Sequence, residues 1–172
     1  MKKGVIIYLN GVTSTGKTTL ATAIQRMSDE NFYAISNDSV ADMGSRKFFE
    51  TDYWQYLADM ILQGYHMTKM LSDNGINVIF DGMVVERDEY KPHYENIKTI
   101  FKDSPLKMVE VFCPLEVCRQ RNIDRGDRGV DQSESQNKYM SKEVVNDIFV
   151  DTNANSAEEC AKIILDAIKE EA

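Results

Sequence analysis

Short apolar runs recur along this chain, each closed by a polar or turn-forming residue: Val5–Leu9, Phe32–Ser36, Asn77–Phe80, Met108–Phe112 and Ile148–Asp151. They are too short for buried helices and rich in β-branched and aromatic residues, so they predict strands buried on both faces. Between them the apolar spacing lengthens to three and four. Leu20, Ala23, Ile24 and Met27 mark a helix over Lys17–Met27. Trp54, Leu57, Ile61 and Met67 mark a second over Tyr53–Leu71, stopped by Asn74-Gly75. A helix is expected over about Glu86–Phe101, and another from Pro114, which suits a first turn, to about Arg125. Residues 126–140 are polar and contain glycine, so they predict a mobile loop with a short helix in it. Ser156 and Glu159 form a capping box that opens a last helix reaching about Lys169. Pro92, Pro105 and Pro114 all fall at element boundaries. Short buried strands alternating with helices predict an α/β fold: a three-layer α/β/α sandwich around a five-stranded parallel sheet.

Length and composition narrow this further. The 172 residues fit one domain over 1–172, and 42 % apolar against 28 % charged residues is an ordinary soluble balance. A chain of this size buries roughly 70 % of its unfolded surface, enough for a core without staples. The net charge of −8 repels a phosphate backbone, which makes nucleic acid a poor partner. Cys113, Cys118 and Cys160 match no zinc spacing and are expected as reduced, buried thiols. The first apolar run is too short for a signal peptide or a membrane span, so a cytoplasmic location without membrane contact is expected.

The strongest chemical signal follows the first strand. Gly11-Val-Thr-Ser-Thr-Gly16-Lys17-Thr18 fits G-x-x-x-x-G-K-[ST] at every fixed position, between a predicted strand and a predicted helix. The glycines permit the turn that aims backbone N–H groups at phosphate oxygens, and the helix start adds its positive dipole end. Lys17 is expected on the β- and γ-phosphates, and the Thr18 hydroxyl on Mg²⁺. Gly11, Thr13, Ser14, Thr15, Gly16 and Thr19 complete the expected nucleotide-binding set, with Arg121 reaching in from the later helix. A nucleoside triphosphate and Mg²⁺ are therefore expected in this site.

Two carboxylates close strands. Asp38 follows strand two in Ser36-Asn37-Asp38-Ser39, where it suits either a base that takes a hydroxyl proton or a helix cap; spacing leaves both open. Asp81 ends strand three after Val78-Ile79-Phe80, the usual place of the second acidic Mg²⁺ partner in P-loop proteins, although an Asp-Gly turn has the same look. Arg119, Arg121, Arg125 and Arg128 crowd the region before Gly129. Arg121 and Arg125 share a helix face, and the segment over about 119–140 reads as a lid whose guanidinium groups clamp a transferring phosphoryl group. A solvated helix balanced by Glu116, Asp124 and Asp127 is the plainer alternative. His66 and His93 stand alone and are expected at the surface or in packing. Tyr53 and Trp54 line an acceptor pocket if their helix start faces the crevice.

Taken together, the chain resembles the chloramphenicol phosphotransferase family of small P-loop kinases, almost end to end. The likeness rests on Ile6-Ile7-Tyr8-Leu9-Asn10-Gly11 running into Gly16-Lys17, and on Asn37-Asp38-Ser39, matching the family's Val-Asp-Ser. Ile79-Phe80-Asp81, Cys113 and Arg125-Gly126-Asp127-Arg128 add to it, as do Gln136, Val150-Asp151-Thr152, Ser156 and Glu159-Cys160-Ala161. The resemblance implies ATP as donor, a small hydroxyl-bearing acceptor, Asp38 as the base and Arg125 and Arg128 in the lid. It departs in the P-loop, where the family reads Gly-Gly-Ser-Ser-Ala-Gly-Lys-Ser, and at Ser141, where the family has His. Segments 39–60 and 82–95 match poorly, so the resemblance does not carry the acceptor over. A nucleotide, adenylylsulfate or shikimate-type kinase shares the same donor site. A non-catalytic nucleotide-binding regulatory module is the alternative of another class.

Overall fold

A computed structural model describes residues 2–90 and 93–170. Five strands, β1 (Ile6–Asn10), β2 (Phe32–Ser36), β3 (Asn77–Gly82), β4 (Leu106–Phe112) and β5 (Ile148–Asp151), form one sheet in the order β2-β3-β1-β4-β5. Every pairing is parallel. The helices are α1 (Lys17–Met27), α2 (Asn37–Asp42), α3 (Arg46–Phe49), α4 (Tyr53–Asp73), α5 (His93–Phe101), α6 (Leu115–Arg125), α7 (Gln132–Asn137) and α8 (Ala157–Glu170). This is the expected α/β/α sandwich.

Strand alternation sorts the core into two layers. Ile7, Leu9, Ile79, Val109, Val111 and Val150 face α1 and α8. Ile6, Tyr8, Val78, Phe80 and Met108 face the other way, toward α4 and α5. Each fully buried aliphatic side chain contributes about 1.5–3 kcal/mol by leaving water. Gly64 lets α4 approach closely: a Cβ there would sit 3.0 Å from Val40 Cγ2 and 3.1 Å from Phe80 Cε2.

Two expectations change. The helix expected from Glu86 starts only at His93, after a single 3-10 turn at Asp88–Tyr90. Residues 84–86 are held against the segment 139–141, because Val85 bridges Met140 and the Glu86 N–H donates to the Tyr139 carbonyl at 2.7 Å. A distant segment thus overrides local helical spacing; Pro92 lies outside the described residues. Helices α2 and α3 were not foreseen, since neither is long enough to show a period. The three thiols are free and buried, as expected.

Strands of a parallel sheet end together, so the register decides which residues share its carboxyl edge. Asn10 pairs with Gly82, Ser36 with Asp81, and Phe112 with Asp151. Open α/β sheets bind ligands in the crevice outside this edge.

Candidate active site

A cleft of about 960 Å³ opens over the carboxyl edge, between the P-loop and the start of α4. Its donor half is made mainly of backbone. Ser14 sits at φ 61 and Gly16 at φ 92, both left-handed, an alternation that turns consecutive N–H groups into a concave anion nest. Gly16 is the N-cap of α1, so the helix dipole points into the same space. Lys17 Nζ donates to the Val12 carbonyl at 2.9 Å and lies 3.7 Å from Asp81 Oδ1. Burial in the cleft floor lowers its pKa, while Asp81 and Asp38 work against that. Phosphate oxygens would do the same more strongly. The Thr18 hydroxyl donates to Asp81 Oδ2 at 2.7 Å, which brings the two expected metal-site residues together. No cluster of three or more His, Cys, Asp or Glu residues suited to a metal exists among the described residues. A Thr hydroxyl, one carboxylate and substrate phosphates are instead the surroundings in which Mg²⁺, with its retained waters, is usually held.

Neighbouring elements anchor the P-loop from outside. Thr13 N–H donates to Gln136 Oε1 at 2.6 Å, and the Thr13 carbonyl accepts from Ser133 Oγ at 3.1 Å. The Ser14 carbonyl accepts from Arg121 Nη1 at 3.2 Å, and the Thr15 carbonyl from Thr152 Oγ1 at 2.6 Å. Arg121 also holds the Thr152 carbonyl at 3.0 Å, so it braces the loop while lining the cleft.

Asp38 stands in the first turn of α2 but does not cap it. Ser36 and Ser39 form the capping box themselves, which leaves the Asp38 carboxylate for the cleft. Arg128 reaches across from beyond α6 and donates from Nη2 to Asp38 Oδ2 at 2.7 Å. Arg128 Nε and Asn37 Oδ1, both belonging to cleft-lining residues, are buried with no hydrogen-bond partner among the described residues. Buried polar atoms are rarely left so, and a ligand in the cleft is the natural partner. Arg125 also lines the cleft and is paired with its neighbour Asp127, at 3.2 Å. Arg119 does not join them; it pairs with Asp131 at 3.5 Å.

The acceptor half is made of side chains. Tyr53, Trp54, Leu57 and Ile61 from α4 face Met83, Val85 and Arg87 from the segment after β3, with Tyr139 beside them. Sequence reading named Tyr53 and Trp54 but missed Arg87. Its guanidinium lies 4.1 Å from the Trp54 ring centroid and 4.8 Å from that of Tyr139, and it is paired with Glu89 at 3.1 Å. No spacing rule joins residues 54, 87 and 139. Behind this wall His93 takes the packing alternative of its expectation and is buried. Its Nδ1 accepts from Val85 N–H at 3.0 Å, so Nε2 carries the proton and donates to the Tyr65 hydroxyl, which in turn lies 2.9 Å from the Tyr8 hydroxyl. Burial pushes the His93 pKa down to about 4.

The family model for chloramphenicol phosphotransferase-like proteins matches residues 4–169. The chain belongs to that family. A Mycobacterium tuberculosis relative carrying the name "Putative O-phosphotransferase" is 24 % identical over 186 residues, covering 94 % of this chain and 81 % of its own. Among solved structures, the M. tuberculosis APS kinase in complex with AMPPNP and APS superposes with a TM-score of 0.73 at 16 % identity, over 98 % of this chain and 99 % of that one. The Acinetobacter baumannii shikimate kinase in complex with shikimate gives 0.70 at 17 %, over 99 % and 96 %. As a member of the chloramphenicol phosphotransferase-like family on a P-loop kinase fold, the chain is a small-molecule phosphotransferase. No helix among the described residues is long and apolar enough to cross a membrane.

Proposed function

We propose that this phosphotransferase moves the γ-phosphate of Mg-ATP to a hydroxyl of a small molecule, with Asp38 as the base. The observation that carries this is the Asp38–Arg128 contact across the cleft, opposite the P-loop nest and Lys17. A phosphate cradle and an uncapping carboxylate face each other over one space.

In this reading the P-loop N–H groups and Lys17 hold the β- and γ-phosphates. Thr18 and Asp81 are the residues that would hold Mg²⁺, which supplies charge neutralisation on the phosphates. Asp38 accepts the proton as the acceptor oxygen forms its bond to the γ-phosphorus. The bond from that phosphorus to the β–γ bridging oxygen breaks, ADP leaves, and Asp38 returns its proton to solvent. Arg128 and Arg125 are placed to meet negative charge on the transferred group, where positioning and electrostatics do most of the work. Within the lid, Gln136 and Ser133 tie α7 to the P-loop.

The acceptor wall favours an uncharged alcohol carrying a flat or apolar group. Arg87, the cation on that side, is engaged by Glu89 and two ring faces, while Lys17, Arg121, Arg125 and Arg128 stand on the donor and lid side. Asp38→Asn tests the base. Calorimetry should show Mg-ATP binding near normal, and kcat against a responsive alcohol should fall roughly 10²–10⁴-fold. Wild-type turnover in the variant rejects the assignment.

A further inference from the structure

Ser14 is the residue in this loop that pays for its geometry. It is the one non-glycine at positive φ among the described residues. A side chain in the left-handed region is unfavourable by about 1–2 kcal/mol relative to the right-handed one. Yet the nest depends on it, because the alternation of Ser14 and Gly16 is what gathers the N–H groups.

We propose that Asn122 is a positioning residue for nucleotide binding: by gripping the Ser14 hydroxyl from α6 it holds the P-loop in its phosphate-receiving shape. This rests on the reading of the loop as the ATP site. Asn122 is wholly buried in the third turn of α6, where a polar amide is costly unless satisfied. Its Oδ1 accepts from Ser14 Oγ at 2.6 Å. Its Nδ2 donates to Ser133 Oγ at 3.0 Å and to the Val130 carbonyl at 3.2 Å. Ser133 Oγ then donates to the Thr13 carbonyl. One amide therefore fixes the side chain of Ser14 directly and the peptide before it through Ser133.

The consequence follows from the trans peptide. In each unit the carbonyl and the next N–H point in opposite directions. The carbonyls of Thr13, Ser14 and Thr15 are drawn outward by Ser133, Arg121 and Thr152 respectively. The N–H groups of Ser14, Thr15 and Gly16 are thereby turned the other way, toward the anion. Loss of the Asn122 grip lets Ser14 relax toward right-handed φ and scatters the first of them. Asn122 touches no substrate in this scheme; it acts through Ser14.

Glycine separates this from a merely structural role, since it adopts φ 61 without needing a grip. The readout is calorimetric affinity for AMPPNP with Mg²⁺. Ser14→Ala keeps the Cβ but loses the hydroxyl, and should weaken binding about 5–30-fold. Ser14→Gly should bind more tightly than Ser14→Ala. Asn122→Ala should cost at least as much as Ser14→Ala, since it also frees Ser133, the two losses should be less than additive, and Ser14→Gly should recover part of the affinity in the Asn122→Ala background. If Ser14→Ala binds like wild type, or Ser14→Gly binds no better than Ser14→Ala, the inference is overturned. The Ser14 pair decides even if Asn122→Ala does not fold. If wild-type protein fails to bind AMPPNP, or Lys17→Ala binds it equally well, the ATP-site reading itself has failed.

Discussion

The two halves of the cleft are built from different materials. The donor half is backbone: the Thr13, Ser14 and Thr15 peptides, turned by Ser133, Arg121 and Thr152, with a helix start behind them. The acceptor half is side chain: an indole from α4, a guanidinium from the segment after β3 and a phenol from beyond α7. Backbone sites bind a group that every donor nucleotide shares, so their geometry has one solution. Side-chain walls can be redrawn by single substitutions and so carry selectivity. The hydrogen-bonded half should therefore fail abruptly on mutation and the stacked half gradually.

Lys17→Ala is the severest test of that contrast. Its ammonium lies in the cleft floor, 2.9 Å from the Val12 carbonyl, and not in either apolar layer. Turnover should drop beyond 10³-fold while circular dichroism and the unfolding midpoint stay close to wild type. Unaltered turnover would remove the P-loop from the mechanism. The lid arginines come next, and they should differ. Arg128 spans the cleft to Asp38, whereas Arg125 is held by Asp127 two residues on. Arg128→Ala should lower kcat by about 10²–10³-fold at little change in ATP KM. Arg125→Ala should cost less. Equal losses would mean that the contact seen with Asp38 does not mark the working arginine.

This contrast also explains what could be read from the sequence. Glycine and lysine spacing specifies a backbone shape locally, so Gly11–Thr18 announced its own geometry. Asp38 and Asp81 were legible because parallel strands bring their last residues to one edge, whatever the loops do. Strands β2 and β5 were legible to the residue and β1 to within one, although only β1 is buried throughout; the edge strands β2 and β5 expose Tyr33 and Phe149, against the expectation of burial on both faces. The failed helix at 86–90 and the unseen Arg87 share a cause: both depend on residues 139–141 pairing across from the other end of the site. Asn122 was silent for a similar reason. It looks like an ordinary polar residue in a charged helix until Ser14 and Ser133 are brought to it.

The support of the acceptor half is sensitive to acid. His93 is neutral in the fold, accepting the Val85 N–H, with its pKa lowered from 6.5 to about 4 by burial. Between those values the unfolded chain binds a proton that the native protein does not. Stability therefore rises with pH through this window and is lost as pH falls from 6.5 toward 4. Between pH 7 and pH 5 the loss from this group is on the order of 2 kcal/mol. Urea unfolding at the two pH values should show that decrement, and His93→Gln, though less stable at pH 7, should show a smaller one. An equal decrement in the variant would assign the acid sensitivity to carboxylates elsewhere.

Trp54→Ala should give the smallest effect and the sharpest division between the halves. The indole is partly exposed at the start of α4 and lies on the Arg87 guanidinium, so its removal leaves no buried cavity. A cation–π contact at such a site is worth about 0.5–1 kcal/mol, and the lost wall adds apolar contact with the acceptor. The acceptor KM should rise about 5-fold or more, with ATP KM unchanged and kcat nearly so. Trp54→Phe, which keeps a ring face, should fall between. The acceptor for this assay comes from a panel of alcohols that pairs each uncharged ring-bearing compound with a carboxylate analogue, scored by ADP release. If Trp54→Ala raises the ATP KM as much as the acceptor KM, the two halves are not separable, and the stacked wall is part of the donor site. If the carboxylate analogues are the better substrates, Arg87 exchanges Glu89 for the acceptor, and the wall selects anions.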